Sequence, residues 1–224
     1  MGVNGLWEIL TNSLIASQSK DSGVVCPAQA TTTCFENVDF RDLGGQRLAV
    51  DLSVWIVQSQ SIAARNRTIN KPHLLHTFNR AVGLAKFGVR LVFVTDGKPP
   101  AIKRRQNGKK VGVNNRFIAQ SKEAVLFLRT LGFAVVDLTG KSGEAEAMCA
   151  KLDQLGLVDG VITPDGDALL FGARVVYKEV SVNKQKGCFA QRFSRSAILS
   201  QLGIGDNKLL LLAALMGSDY SGPG

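Results

Sequence analysis

The chain has 224 residues, 45% of them hydrophobic, which excludes a disordered protein and allows a sizeable core. Lys and Arg number 27 against 18 Asp and Glu. The resulting net charge of +9 favours a polyanionic partner, nucleic acid above all, over a neutral or anionic one.

Targeting and cysteine signals point to the inside of the cell. No apolar run approaches the length of a membrane span, and the first residues, MGVNGLWEIL, lack the basic start and long apolar stretch of a signal peptide. The four cysteines form no CxxC pair, which argues against a disulfide scaffold or a zinc site. We therefore expect an intracellular protein with no membrane partner.

The predicted elements alternate between strands and helices. Residues 17–40 are rich in Ser, Thr and Ala and predict a loop. In chain order, the pattern then predicts a strand over 47–55, a helix over 72–86, a strand over 89–97, helices over 117–131 and 143–155, strands over 158–167, 173–180 and 188–193, and a buried helix over 206–217. This order predicts an α/β fold with a doubly wound, mostly parallel central sheet and helices on both faces.

Seven acids are expected at one edge of that sheet. In open α/β sheets, ligands bind in the crevice beyond the carboxyl ends of the strands, and helix N-termini face the same rim. Any single acid there has an ordinary structural explanation, as a turn residue or as a partner of the helix dipole. The acids are Asp51, Asp96, Asp165 and Asp167 at strand ends, Glu144 and Glu146 at a helix start, and Asp219 in GSDY.

Acids gathered in this way predict a metal centre. Two unit charges about 4 Å apart repel by roughly 4 kcal/mol at an effective dielectric near 20, so such a cluster must be protonated, spread apart or hold cations. Oxygen ligands without His or Cys select hard cations, Mg²⁺ or Mn²⁺. Two such ions suit in-line displacement at a phosphodiester, which also fits the basic net charge.

One basic segment, residues 98–122, holds eight Lys and Arg side chains and no acid. Solvated surfaces normally mix charges of both signs, so this run predicts contact with phosphates. Its basic residues are Lys98, Lys103, Arg104, Arg105, Lys109, Lys110, Arg116 and Lys122.

Competing motifs are weak. TGKSG (139–143) resembles a phosphate-binding loop, but Val135 stands where its first glycine is needed. His73 and His76 form an HxxH pair without a Cys or third His, so we expect core or surface histidines. DGDA (165–168) lacks the context of an aspartyl-phosphate phosphatase, which stays open as a weaker alternative. There is no nucleophile elbow for Ser-His-Asp chemistry.

Six blocks along the chain resemble the XPG-type structure-specific 5′ nucleases, the family of the flap endonucleases and exonuclease-1-type enzymes. They are MGVNGLW, AVDLSVWI, FVTDGKPPAIKRR, GEAEAMCAKL, GVITPDGDALLFGA and LMGSDY. Within the family, NKPHL (70–74) and GEAEAMCA (143–150) are most similar to the GEN-type Holliday-junction resolvases.

The resemblance implies one nuclease domain over residues 1–224, with a basic helical arch at 98–122. It also implies a Mg²⁺-dependent endonuclease with two ions, for which Mn²⁺ can substitute, that cuts DNA at 5′ flaps or, as a dimer, at four-way junctions in the nucleus. All seven acids match the family's metal carboxylates. Lys103 falls where an arch residue faces the scissile phosphate, and Gly2, with Lys98, Arg104, Arg105, Lys109 and Lys110, is expected near the DNA.

Two departures keep alternatives open. The segment 17–40 is longer than usual for the family, and the chain ends at GSDYSGPG, without the helix–two-turn–helix by which the family grips duplex DNA. One alternative is therefore a truncated, non-catalytic isoform that only binds branched DNA or a repair partner. Another is an RNA-cutting nuclease with the same acidic crevice.

Overall fold

The computed structural model describes residues 3, 5–12, 35–65, 68–98, 115–183 and 187–217. The strands there are β1 (Phe35–Asp39), β2 (Arg47–Asp51), β3 (Arg90–Val94), β4 (Ala134–Val136), β5 (Gly160–Ile162), β6 (Val175–Asn183) and β7 (Gly187–Ser194). The helices are α1 (Leu6–Asn12), α2 (Leu52–Arg65), α3 (Pro72–Ala85), α4 (Asn115–Thr130), α5 (Ala145–Gln154), α6 (Asp167–Leu170), α7 (Arg195–Leu202) and α8 (Asp206–Met216), with a 3-10 helix at Phe40–Leu43.

The described strands form one mixed, seven-stranded sheet in the order β1-β7-β6-β5-β2-β3-β4. Strand β2 lies between β3 and β5, and all three run parallel, as do the pairs β3–β4 and β5–β6. Only β7 and β1 run antiparallel to their neighbours. The predicted α/β fold with a mostly parallel sheet is confirmed.

Strand β2 shows why the sheet is covered on both faces. Leu48 and Val50 are fully buried in one hydrophobic cluster, whereas Ala49 between them is fully buried in another. Successive side chains of a strand point to opposite faces. Both faces of β2 are therefore covered, which accounts for its continuous apolar sequence.

The predicted strand over 47–55 is wrong after Asp51, because helix α2 begins at Leu52. The Asp51 carboxylate accepts a hydrogen bond from the Val54 backbone N–H at 3.2 Å, so it caps the first turn of the helix. An apolar run such as LSVW is compatible with a buried strand or a buried helix, and only the cap decides between them.

The predicted loop over 17–40 is wrong at its end, where Phe35–Asp39 form strand β1 and Phe40 starts a 3-10 helix. Strand β1 pairs antiparallel with β7, from Phe35 opposite Phe193 to Asp39 opposite Phe189. Because the partner lies more than 150 residues away, nothing local in the sequence marks this strand. Residues 17–34 lie outside the described residues.

Helix α8 is not the buried helix predicted over 206–217. Only Leu209 and Ala213 are buried, whereas Leu210, Leu211 and Leu215 are 55%, 59% and 75% exposed. No single helix in the described part of the chain is long and apolar enough to cross a membrane. Helices α7 and α8 meet that length and composition only jointly, across a bend of 87°.

The basic segment is only partly described. Lys98 is exposed and forms an isolated parallel bridge with Ser142, and residues 115–122 are the first two turns of α4. The expected arch residues of the intervening stretch lie outside the described residues, namely Lys103, Arg104, Arg105, Lys109 and Lys110.

Candidate active site

Six of the seven predicted acids lie at the carboxyl edge of the parallel strands. Strand β2 ends at Asp51, Asp96 follows β3 by two residues, and β5 leads into the turn that carries the other two aspartates. The two glutamates lie at the start of α5, one as its N-cap and one in its first turn. These residues are Asp51, Asp96, Glu144, Glu146, Asp165 and Asp167, while Asp219 and Gly2 lie outside the described residues.

Asp96 is tied directly to the start of α5. Its carboxylate accepts a hydrogen bond from the Ala145 backbone N–H at 2.8 Å. The Gly97 N–H donates to the Gly143 carbonyl at 3.0 Å, and the Gly143 N–H donates to the Lys98 carbonyl at 3.2 Å. These bonds hold the acid that follows β3 against the segment that carries both glutamates.

Gly97 is needed for this close approach. A Cβ atom at this position would lie 2.5 Å from the Lys141 carbonyl oxygen and 2.7 Å from that of Leu138. Both distances are far shorter than van der Waals contact, and both neighbours are backbone atoms, so a larger residue would push the two acid-bearing segments apart.

Asp51 is 1% exposed, and its pKa is raised well above the usual range. Burial is the largest cause, followed by the negative charges of Glu146, Asp96 and, more weakly, Asp165. The only opposing effect among these causes is the hydrogen bond from the Val54 N–H. Carboxylates from four separate segments are therefore close enough to disfavour one another's ionisation.

Glu146 behaves in the same way. Its pKa is raised to about 7, first by burial and then by the charges of Asp96, Asp165 and Glu144, against a lowering hydrogen bond to its own backbone N–H. A carboxyl group with this pKa is close to half-protonated at neutral pH. Ionisation of Glu146 is therefore disfavoured by the other acids at this edge of the sheet.

The second acidic turn is braced by short-range hydrogen bonds. The Asp167 N–H donates to the Asp165 carboxylate at 3.0 Å, and the Asp165 N–H donates to the Thr163 hydroxyl at 3.1 Å. The Asp167 carboxylate, 4% exposed, accepts the Val3 N–H at 2.9 Å. One of its oxygens is therefore already directed toward the N-terminal segment.

Sequence reasoning missed the residues that support the acids. The Ser53 hydroxyl accepts a hydrogen bond from the Asp96 N–H at 3.0 Å. The hydroxyl of the neighbouring Thr95 accepts the Leu138 N–H and donates to the Asp137 carboxylate at 3.1 Å. Except for Thr163, two residues before Asp165, these partners are distant in the chain. Only a Thr-x-Asp turn pattern could have found one of them.

The structure places Cys149 and His73 in the interior. Cys149 is a buried free thiol, and its pKa is raised by burial and then by the charges of Asp51, Glu146 and Asp96. His73 is buried, with its Nε2 2.9 Å from a Glu123 carboxylate oxygen.

The donor set fits a hard divalent cation in its chemistry. Carboxylate oxygens that raise one another's pKa are the ligands that Mg²⁺ and Mn²⁺ prefer, and these cations relieve the repulsion. Within the described residues, no three His, Cys, Asp or Glu side chains are gathered into a ready-made ligand group.

Two family models match this chain. The XPG N-terminal domain matches residues 26–115, and the XPG I-region matches residues 136–219. The first region carries β2 and β3 with Asp51 and Asp96, and the second carries the remaining five acids.

Several known proteins are similar along nearly the whole chain. The flap endonuclease GEN homolog 1 of Mus musculus is 34% identical over 98% of this chain, which corresponds to 23% of the relative. Human GEN1 in complex with Holliday junction DNA is 33% identical and superposes with a TM-score of 0.79, over 100% of this chain and 53% of that one. The Holliday junction-resolving enzyme GEN1 with product DNA and a Mg²⁺ ion is 27% identical, with a TM-score of 0.63, over 85% and 45% of the two chains. This chain thus spans about a quarter of the mouse relative and about half of the solved human chain.

Proposed function

Because the chain belongs to the XPG-type nuclease family, we propose that it is a structure-specific DNA endonuclease that hydrolyses phosphodiesters at 5′ flaps or four-way junctions. One observation carries the proposal: acids from separate segments meet at the carboxyl edge of the sheet, where the pKa of Asp51 is raised first by burial and then by the charges of Glu146, Asp96 and Asp165. Strands from both matched regions share one sheet, which supports a single nuclease domain over residues 1–224.

We assign the acids to two Mg²⁺ sites, with Mn²⁺ as a substitute. When bound, the ions supply Lewis-acid activation of water and stabilisation of the leaving oxygen. Two neighbouring groups of acids divide the ligands. The first holds Asp51, Asp96, Glu144 and Glu146, and the second holds Asp165, Asp167 and Asp219.

The described side chains would prepare the site in two ways. The Ser53 hydroxyl fixes the Asp96 backbone N–H, and the Ala145 N–H fixes the Asp96 carboxylate. The orientation of Asp96 therefore does not depend on substrate. Glu146, with its pKa of about 7, can release a proton to solvent at neutral pH as positive charge arrives. Both effects preorganise oxygen ligands where negative charge is otherwise costly.

The basic residues are proposed to bind the phosphates of the DNA. Lys98 is exposed two residues after Asp96, so it lies next to the acidic edge. The remaining members of the proposed DNA-binding set are Gly2, Lys103, Arg104, Arg105, Lys109 and Lys110, with Lys103 facing the scissile phosphate. Such contacts make binding weaken steeply with salt.

We further propose that the protein acts in the nucleus. A four-way junction is resolved by two symmetric cuts, so we propose that two copies act together on it. Relatives named as flap endonucleases, and human GEN1 solved with Holliday junction DNA, support branched DNA as the substrate class.

The test is cleavage of a labelled 5′ flap and a labelled four-way junction with Mg²⁺ at low salt. Asp51→Asn should lower the rate by about 10³-fold or more, since a metal contributes several kcal/mol to such a reaction. The matched control is Asp159→Asn, the same substitution near the opposite end of β2, which should keep the wild-type rate. Absence of cutting by the wild-type chain, even with Mn²⁺, would contradict the proposal.

The alternatives predict different results in the same assay. A protein that only binds branched DNA would show salt-dependent binding without turnover, and the relatives named as flap endonucleases do not favour it. An RNA-cutting nuclease would prefer an RNA flap of identical shape to the DNA one.

A further inference from the structure

The turn at Pro164–Asp167, which carries two of the acids, is in contact with helix α1 and with Val3 just before it. The Trp7 indole Nε1–H donates to the Pro164 carbonyl at 2.7 Å, and the Val3 N–H donates to the Asp167 carboxylate at 2.9 Å. Between them, a Cβ on Gly166 would lie 2.9 Å from Cδ2 of Leu6. The N-terminal segment therefore contacts three of the four residues of the turn.

Helix α1 is itself firmly packed, although it has only seven residues. Leu6 and Leu10 are fully buried in the hydrophobic cluster on one face of the sheet. The Trp7 ring lies 4.6 Å from the Phe193 ring between centroids, and the Lys178 ammonium lies 5.0 Å from the Trp7 ring. Trp7 is thus held by strands β6 and β7 while it holds the turn after β5.

The residue before α1 also lies against the end of α8. A Cβ on Gly5 would lie 2.9 Å from Cε of Met216, the final residue of α8. The N-terminal segment therefore contacts both the Pro164–Asp167 turn and the end of α8.

The turn leads directly into α6, a single helical turn of four residues. Within the turn, the Asp165 and Asp167 N–H groups make short-range hydrogen bonds, and the Gly166 carbonyl accepts the Leu169 N–H at 3.0 Å. Contacts from outside such a turn orient its carboxylates, and partners of this kind commonly set the affinity of a metal site.

We propose that helix α1 positions the Asp165–Asp167 turn for its cation, with Trp7 as a positioning residue that acts through the Pro164 carbonyl. This inference rests on the proposed function, because it assigns to α1 a part in the metal site of that function. The indole N–H, and not only the bulk of the ring, carries the effect.

The test compares Trp7→Phe with Glu8→Gln in the full chain. Phe keeps the ring against Phe193 and loses only the N–H donor, whereas Glu8 is exposed on the same helix and serves as the matched control. Isothermal titration with Mn²⁺ should show about 10- to 100-fold weaker binding for Trp7→Phe and unchanged binding for Glu8→Gln. Excess Mn²⁺ should restore cleavage by Trp7→Phe, with the KM for DNA unchanged.

A second measurement uses the wild-type chain and so does not depend on the folding of a variant. The sequence contains two Trp residues, so the Trp7 indole N–H gives one of two indole signals in an NMR spectrum. This signal should shift during a Mg²⁺ titration with the same midpoint as metal binding.

The outcomes separate this inference from the proposed function. Equal Mn²⁺ affinity of Trp7→Phe and wild type, or an indole signal that ignores Mg²⁺ while the ion binds, overturns the positioning role alone. A wild-type chain that neither binds Mn²⁺ nor cuts DNA overturns the proposed function, and the positioning role with it.

Discussion

The two ends of strand β2 put carboxylates into opposite environments. At its amino end, the Arg47 N–H donates to Asp159 at 2.7 Å, and this bond, with the Arg47 guanidinium, lowers the pKa of Asp159. At its carboxyl end, Asp51 has its pKa raised by burial and by other acids. The ionised form of Asp159 is thus favoured at one end of this five-residue strand, whereas the ionised form of Asp51 is disfavoured at the other end.

The amino edge of the sheet repeats the stabilising arrangement. The fully buried Asp153 accepts a hydrogen bond from Nη2 of the Arg174 side chain at 2.8 Å and another from the Arg174 backbone N–H. At this edge the carboxylate of Asp153 is paired with a cation and stabilises the fold, whereas at the other edge the charge of Asp51 is opposed by burial and by neighbouring acids. The contrast teaches that repulsion between acids, more than their number, distinguishes the edge for which we propose a cation.

The largest effect on stability is expected at the amino edge. Asp153→Ala leaves the Arg174 side chain and backbone N–H without their acceptor, which should lower the free energy of unfolding by about 3 kcal/mol. Urea denaturation measures this. Mn²⁺ affinity per folded molecule should be unchanged, and a loss of affinity would contradict the separation of the two edges.

A somewhat smaller effect, of the opposite sign, is expected when metal is added. Mg²⁺ at about 100 times its dissociation constant should raise the free energy of unfolding of the wild-type chain by about 2.7 kcal/mol. Asp51→Asn, which lacks one proposed ligand, should gain much less at the same concentration. Thermal unfolding with and without Mg²⁺ provides the measurement, and equal gains would contradict the assignment of Asp51.

The smallest effect concerns pH in the absence of metal. Because folding raises the pKa of Glu146 to about 7, the folded state binds this proton more tightly than the unfolded state does. The stabilisation that the folded state gains from protonated Glu146 is therefore fully present below the unfolded pKa, near 4.5, and is lost as the pH rises through about 7. Glu146→Gln should accordingly be more stable than wild type by about 1 kcal/mol at pH 8, and the difference should shrink toward pH 5.

Asp159→Asn is the control for that experiment. The pKa of Asp159 in the wild-type chain is lowered by folding, so its replacement by Asn should not stabilise the protein at any pH. If Glu146→Gln and Asp159→Asn follow the same pH curve, the two ends of β2 do not differ as described.

Most of the sheet and its acidic edge could be predicted from sequence, because they follow from local patterns. Apolar runs that end in Asp51, Asp96 and Asp165 mark parallel strands, and acids at such ends must lie along one edge. Strand β1 was not predicted, since its own sequence has no clear strand pattern and its pairing with β7 is a long-range contact.

Residues with mixed signals were predicted less well. The apolar side chains of α8 suggested burial, yet Leu211 and Leu215 are exposed, because helix burial depends on which neighbours are present. The support of Asp96 by Ser53, and of Asp167 by Val3, depends on tertiary distances that sequence spacing does not contain.

The contact between Val3 and Asp167 joins residues 164 positions apart. A ribosome that adds about 5–20 residues per second needs roughly ten to thirty seconds to travel that distance. Helix α1 is made well before its docking turn and cannot dock until residues 164–167 have left the ribosome. During synthesis, the strands that end near Asp51 and Asp96 are therefore present well before the edge of the sheet can be completed.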